Sequence, residues 1–553
     1  VKPETEQKFQ LKLLDYLIAL VIFCMVILES LHTIHQIGVS WDEPVYFSYA
    51  KAYTQWAIHI GEDGAWSREI LEYVFNIGLF TTCSPTLNKI LGALTYSAFK
   101  NTLGEFWAYR MYAPILFGLL VSLIFLRAIK EWGRLVGFAS ALLIFFMPRF
   151  FVEGHIGATE TPLCFFWFMS VILFEAGFHR RWLAPLAGIA YGLTMSVKFT
   201  GFLLPIPLLL WAILYHRRKI FLPAICLLII GPAVFLLLQP SMWDHPFSDL
   251  WEFIMMSLTR GQTAQIPVYF LGKYYSFSAP WYYAPVMVLV TVPELTLVFF
   301  ALGIFNTFRN RFRDQFAVSC LIQFGFFILI MILPGSPTYD GVRLFIPAFI
   351  FLALVAGYGF KGVIKWFEKS GLKSLAQGAL FLLLILGTIL PLAKVYPYGL
   401  EYYNEFIGGV SGARNLGLET TYWWTVVNEK AISELNQVLP VNASIVFWPV
   451  NTKLGRFYQE IGLLRKDLRI SHTNDHYSVA SLKDGTIVIL NENAGPHGKI
   501  KNPENDFEYL LMLSRPYWDY EPFFRSLGVR RSQLQVVASK SLDGVPLWVL
   551  YKR

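Results

Sequence analysis

Apolar residues in this chain come in long, nearly unbroken runs separated by short polar joints, and the runs set the expected architecture. A helix that crosses a membrane needs about 20 apolar residues. On that criterion the sequence predicts about eleven spans, near 13–31, 108–127, 134–149, 159–178, 183–197, 199–215, 220–238, 282–306, 315–334, 343–360 and 375–395. The stretch 183–215 forms two short spans only if the chain turns near Lys198. Two long connections interrupt the series. In the first, residues 32–107, the segments 50–60, 67–79 and 87–99 mix apolar and polar residues at near-helical spacing, which predicts helices lying along a membrane surface. The second, Ser241 to Pro280, is rich in Trp, Tyr and Phe, as suits the headgroup level. From about Leu400 the pattern turns polar: helices are expected at 424–439 and 507–513, and strands at 444–448, 486–490, 534–537 and 547–551. The expected fold class is a polytopic α-helical membrane protein of about eleven transmembrane helices, with a membrane domain over 1–398 and a small α/β domain over 399–553.

Composition agrees with that pattern and removes alternatives. The 553 residues are 55% hydrophobic and 15% charged, with a mean hydropathy of +0.48, which is incompatible with an ordinary soluble chain of this size. The net charge of +8 does not indicate a nucleic-acid partner, because the basic residues cluster in alternate joints between apolar runs. By the positive-inside rule that clustering places the N-terminus in the cytoplasm and the C-terminal domain outside it. The first apolar run is longer than a signal-peptide core and lacks a small-residue cleavage site, so it is expected to stay as an anchor. Five scattered cysteines show neither metal nor disulfide spacing. His472 and His476 have an i,i+4 metal spacing, but their Ser/Asn/Asp-rich surroundings read as a loop. Asn442-Ala443-Ser444 is a formal glycosylation sequon, and Glu294 after Pro293 is a site candidate only if it lies at mid-membrane.

The candidate chemistry lies in charges that the topology leaves on the non-cytoplasmic side. Asp42 and Glu43 follow the first span in Val39-Ser40-Trp41-Asp42-Glu43-Pro44-Val45-Tyr46. They read either as helix-start acids before Pro44 or as a general base with a neighbouring carboxylate. Lys89, Arg110, Arg149, Lys198, Arg260, Lys273 and Arg343 are cations on the side where the rule expects few. One such residue is explained by snorkelling to headgroups; several together point to an anionic ligand. Glu160, at the start of the fourth span, is either an acid favoured by the helix dipole or a holder of acceptor or metal. His155 and Tyr46 are candidates for the acceptor side or for supporting the acids.

These pieces, in this order, resemble the GT-C membrane glycosyltransferases, specifically the protein O-mannosyltransferase and aminoarabinose transferase branch. Asp42-Glu43 resembles that family's acidic motif in the first outside loop. Ser84-Pro85-Thr86-Leu87-Asn88-Lys89 is similar to its Pro-Pro-Leu-x-x-Lys stretch, with Thr86 in place of the second Pro. Glu105 to Arg110 resembles its Arg-bearing entry to the second span, and His155 to Pro162 its second-acid segment, with Glu160 where Asp is usual. Gly192 to Gly201 is similar to a Gly-x-x-x-x-x-Lys turn, and Arg343 to Pro347 to an Arg-aromatic-x-Pro span start. Tyr402 to Gly409 with Tyr422-Trp423-Trp424 resembles a stretch of bacterial members, for which the sequence offers only glycine turns docking the tail.

The resemblance implies transfer of a sugar from a polyprenyl-phosphate donor, with inversion, to a protein, glycan or lipid acceptor reached from outside. Asp42 is then the general base, Glu43 and Glu160 join the catalytic group, and Lys89, Arg110, Lys198 and Arg343 hold the donor phosphate. A monophosphate leaving group is balanced by Lys and Arg, so no metal is required, although a divalent cation beside Glu160 stays open. The expected partners are the lipid-linked donor, membrane lipids and the acceptor. The expected location is a bacterial inner membrane. A transporter or glycolipid flippase is the competing reading, since it also places acids and bases in a membrane cavity.

Overall fold

The computed structural model describes residues 9–62, 64–76, 84–263, 266, 268–369, 373–448, 452–471, 477–481, 487–491, 507–514, 524 and 530–553. The expected membrane bundle and terminal sheet are both present, but the helices are less uniform than the apolar runs implied. Among the described residues six helices are long and apolar enough to cross a membrane: Leu13–Thr33, Glu105–Trp132, Glu160–Gly177, Gln315–Ile332, Ala348–Phe367 and Gln377–Val395. A seventh span arises if Tyr283–Thr291 and Glu294–Arg309, bent by 119° at Val292-Pro293, are taken together. This corrects the expectation of about eleven full spans. The other four apolar runs fold as shorter helices, Arg134–Phe145, Leu183–Met195, Phe199–Tyr215 and Phe221–Leu237. The 12-residue Arg134–Phe145 rises only about 18 Å, well short of the roughly 30 Å hydrocarbon layer. It is framed by Gly133, whose φ of 97° is one that glycine adopts without strain, and by Met147-Pro148. The expected turn near Lys198 is present, with Lys198 extended between Leu183–Met195 and the 3-10 turn Phe199–Leu203.

The bundle is organised around Ala348–Lys369. Every residue from Ala348 to Ala356 is wholly buried, as expected of a helix that is apolar on all sides. Glu294–Arg309 packs against it at very short range. A Cβ on Gly303 would lie 2.0 Å from the Val355 carbonyl oxygen, and one on Gly359 1.9 Å from that of Phe299. The central helix thereby fixes the turn that precedes it, Arg343–Phe345.

In the first long connection the helices are Glu43–Ile58, Arg68–Phe75 and Leu87–Leu103. The second carries Pro246–Thr263 and an antiparallel pair, Val268–Phe270 with Lys273–Tyr275. In the C-terminal part, a five-stranded sheet has the order Arg469–Ile470, Ser444–Trp448, Tyr509–Leu513, Val545–Lys552, Gln535–Leu542. The first two pairings are parallel and the last two antiparallel. The final hairpin turns at Asp543-Gly544, both with positive φ, as a tight two-residue hairpin turn requires.

Two expectations fail here. The stretch 507–513 holds no helix but the strand Tyr509–Leu513, because its Tyr-Leu-Leu-Met-Leu run is buried on both faces and shows no period. Ile445, Phe447, Leu511 and Leu550 face the main core, while Val446, Leu510, Met512 and Val549 face a second cluster. The helix expected from Trp424 begins instead at Glu429, where the Asn428 side chain accepts from the Ala431 amide at 3.1 Å. Of the two paired histidines, His472 and His476, both lie outside the described residues, as does Cys83.

Candidate active site

Arg343 gathers three acids from three distant parts of the chain. Its Nη2 donates to Asp42 Oδ2 at 2.5 Å, its Nε to Glu160 Oε1 at 2.9 Å and its Nη1 to Asp340 Oδ2 at 3.1 Å. Lys198 Nζ donates to the same Glu160 oxygen at 2.9 Å. The other Glu160 oxygen is buried and has no hydrogen-bond partner among the described residues. One face of the guanidinium lies 3.7 Å from the centroid of the Trp423 ring, a favourable cation–π geometry. Three carboxylates thus face two cations, and Asp42, at 27% side-chain exposure, is the most accessible of the acids.

Local sequence explains each placement. Asp42 is the N-cap of the helix that Glu43-Pro44 start, with Pro in the first turn where no amide is needed. Glu160 begins the helix Glu160–Gly177, where the dipole favours an acid. Arg343 stands in the 3-10 turn ahead of the central helix, and Asp340 three residues earlier takes a left-handed φ of 58°.

Glu43 and Arg110 form a separate, closed unit. Glu43 accepts from Arg110 Nε at 2.6 Å and Nη2 at 2.7 Å, from the Ser40 amide at 2.8 Å and from the Gly157 amide at 2.8 Å. The remaining Arg110 donors go to the carbonyls of Ile34, Ile37 and Gly38. Both side chains are fully buried, and every guanidinium N–H direction has an acceptor. The structure therefore does not bring Glu43 or Arg110 into the Arg343 cluster. The pair pins the loop before Asp42 to the start of the second span.

The other candidates divide. Tyr46 is buried one turn after Asp42 and lies within reach of the charges of Asp42, Arg343 and Glu160; burial first, then the Asp42 charge, push its phenol up. Lys89 is wholly buried, donates to the Ser84 carbonyl at 2.7 Å and lies 5.2 Å from the Tyr49 ring centroid. Burial pushes its ammonium down to about 7. His155 is placed elsewhere: its Nε2 meets Thr33 Oγ1 at 2.9 Å and its Nδ1 the Phe151 carbonyl at 2.8 Å, in the packing against the first span. Glu294 sits at the bend after Pro293, where it accepts from the Glu405 amide. Among the described residues no group of three or more His, Cys, Asp or Glu is arranged to hold a metal ion.

Sequence reasoning missed three participants. Asp340 was discoverable as the acid three residues before Arg343. Glu153 is buried beside the cluster, and burial followed by the Glu160 charge pushes its carboxyl well above the usual range. Trp423 belonged to a stretch with no assigned role; it and Trp424 carry φ values of 50° and 72°, a left-handed pair of bulky residues that only a constraining environment sustains.

Comparison with known proteins reaches the fold. A family profile described as dolichyl-phosphate-mannose-protein mannosyltransferase matches residues 91–243. No curated protein sequence matches significantly. Among solved structures, the apo oligosaccharyltransferase of Archaeoglobus fulgidus is 12% identical, with a TM-score of 0.50 over 92% of this chain and 71% of that one. ArnT of Cupriavidus metallidurans bound to undecaprenyl phosphate is 14% identical, with a TM-score of 0.47 over 97% of each chain. In fold, with a mannosyltransferase-like segment at 91–243, this polytopic chain resembles the GT-C superfamily of membrane glycosyltransferases.

Proposed function

We propose that the protein transfers a sugar from a polyprenyl-phosphate donor to a hydroxyl acceptor at the sheet-bearing face of the membrane, taken as the extracytoplasmic face of a bacterial inner membrane. The observation that carries this reading is the convergence of Asp42, Glu160, Lys198 and Arg343 on one point from four separated segments. In this reading residues 1–398 hold the catalytic machinery and residues 399–553 form a domain over its outer side.

Each residue then has a task. Arg343 and Lys198 supply fixed positive charge where the donor phosphate departs. Asp42 takes the acceptor proton as the acceptor oxygen bonds to the anomeric carbon. The bond from that carbon to the phosphate oxygen breaks, and its electron pair leaves with polyprenyl phosphate, giving inversion. Arg343 holds Asp42 at 2.5 Å, so a phosphate that claims the guanidinium also releases the base. Glu160 keeps Lys198 and Arg343 together, and Tyr46 borders the acceptor side. Lys89 adds a positive charge whose protonation is poised near neutrality. Arg110 and Glu43 serve by holding the Asp42 loop in place.

The test is incubation of purified protein with polyprenyl-phosphate sugars and measurement of polyprenyl-phosphate release. Asp42→Asn should lower the rate by about a hundred- to ten-thousand-fold, the usual yield of a positioned base, with the melting temperature retained. Full activity in that variant removes the base assignment. Counterflow of an intact glycolipid without bond cleavage would favour a flippase instead.

A further inference from the structure

The loop between Glu153 and Glu160 closes on itself and brings two acids to one place. Thr161 Oγ1 donates to the Glu153 carbonyl at 2.7 Å, and the Ile156 amide donates to the same carbonyl at 3.3 Å. Glu153, the last residue of the helix Pro148–Glu153, thereby stands beside the first turn of Glu160–Gly177. It is 4% exposed, and its Oε2 is shielded, with no hydrogen-bond partner among the described residues. Oε2 of Glu160 is shielded and unpartnered in the same way. The groups that act on Glu153 come from three elements: Glu160 and Cys164 from one helix, Lys198 from the turn after Leu183–Met195, and Asp340 and Arg343 from the turn before the central helix. The Gly399–Glu401 turn packs on the same short helix at Pro148 and Val152 and brings Glu401, whose Oε1 accepts from the Tyr422 amide at 3.1 Å.

The charges in this cluster fix the state of Glu153. Arg343 and Lys198 make their ion pairs with Asp42, Glu160 and Asp340, and none with Glu153. Those three carboxylates already outnumber the two cations. A fourth would add a second excess negative charge at a place that has to receive a phosphate. An ionised carboxylate buried without a partner is costly, and such a group takes up a proton instead. Burial first, then the Glu160 charge, act on Glu153 in that direction, while Arg343 and Lys198 oppose them.

We propose that Glu153 is a positioning residue of the donor site: held as the neutral acid, it leaves Lys198 and Arg343 to Glu160 and the donor phosphate, and on ionising it draws those cations away and repels the phosphate. This inference rests on the donor reading of the Arg343 cluster. Glu153 acts through Glu160 and the two cations and does not touch the reacting atoms. Because it is neutral at lower pH and an anion at higher pH, it makes donor affinity fall as pH rises.

Two measurements on the full chain in detergent test this. Infrared difference spectra in light and heavy water report the proton directly. Wild type minus Glu153→Gln should show, at neutral pH, the C=O stretch of a protonated carboxyl group, shifted by deuterium. Glu401, whose carboxyl burial pushes up to about 8, is common to both proteins and cancels. The second measurement is binding of undecaprenyl phosphate between neutral and mildly alkaline pH, above the second phosphate ionisation near about 6. Over that interval wild-type affinity should fall by about tenfold more than that of Glu153→Gln, the order of effect of one added unit charge in a partly screened site. Lys89 titrates in both proteins, so its part of the fall is shared. Glu153→Met, similar in length and uncharged, should match the Gln variant and replaces it if that variant does not fold. A side chain that only packs would leave the profiles parallel. Absence of the carboxyl band, or the same fall in wild type and variants, overturns the proposal. No wild-type binding at any pH, with the band present, overturns instead the donor reading on which it rests.

Discussion

The guanidinium carbon of Arg343 sits over the Trp423 ring, 3.7 Å from its centroid. Residues 421–428 bring the tail over the Asp42 loop: the Trp41 amide donates to the Trp423 carbonyl at 3.3 Å, the Trp41 and Trp424 rings lie 5.7 Å apart, and Asn428 Nδ2 donates to the Gln36 carbonyl at 3.0 Å. The ring leaves Arg343 its in-plane donors, so the guanidinium stays oriented toward carboxylate or phosphate. A desolvated cation–π contact is worth about 1–2 kcal/mol. Trp423→Leu should therefore raise donor KM by roughly five- to thirty-fold with a smaller change in kcat, and Trp423→Phe should recover part of it. Steady-state kinetics with the lipid donor decide; equal losses in both variants would mark a purely structural role.

Arg110 and Arg343 should respond differently to the same change. Arg110→Ala leaves Glu43 buried without its partner, a loss of about 3–5 kcal/mol in comparable buried pairs, and expression and thermal stability should fall. Arg343→Ala removes the counter-charge of Asp42 and Glu160 beside a partly open site. Its main effect should be on donor binding, by about tenfold or more. Melting curves beside binding curves separate the two, and matching profiles would contradict the division.

Lys89 gives a pH dependence of defined sign. In the unfolded chain its ammonium titrates near 10.4, whereas in the folded protein burial holds it at about 7. Between these values the unfolded state binds the extra proton, so stability should rise as pH increases from about 7 toward 10. Lys89→Met should remove that rise in melts recorded across the window. In the same reading donor KM should increase above about pH 7 as the positive charge is lost, and Lys89→Arg should flatten the profile.

Gly341 joins Asp340 to the Arg343 turn at a φ of 70°. A Cβ there would lie 2.7 Å from Arg149 Nη1 and 3.1 Å from the Tyr422 ring. Behind it the Tyr283 hydroxyl donates to the Gly341 carbonyl at 3.2 Å, and Arg149 stacks over Tyr422 and Tyr403 at 4.6 and 4.9 Å. Gly341→Ala should cost about 1–2 kcal/mol from the left-handed backbone alone. It should also weaken donor binding by displacing Asp340 and Arg343. Unchanged donor KM in a folded variant would show that the turn tolerates the shift.

The sequence by itself determined that this is a membrane bundle with a polar α/β tail, because uninterrupted apolar length is a one-dimensional property. It also singled out Asp42, Glu160, Lys198 and Arg343, since charges beside apolar runs are costly without partners. It did not reveal which apolar runs reach full span length. Gly133, Pro148 and Pro293 divide or bend the runs, and packing rather than composition sets where each helix stops. The sequence preferred Asp42 to Glu43 as the base, yet kept both in the catalytic group, because nothing local shows that two adjacent carboxylates at one helix start face different partners. Only the tertiary structure turns Glu43 inward to Arg110 and leaves Asp42 facing Arg343. Trp423 was visible as an aromatic cluster, but its role depends on a contact across 80 residues of chain. Such contacts are decided by how the tail folds back on the bundle, where the burial of the whole core outweighs any local preference.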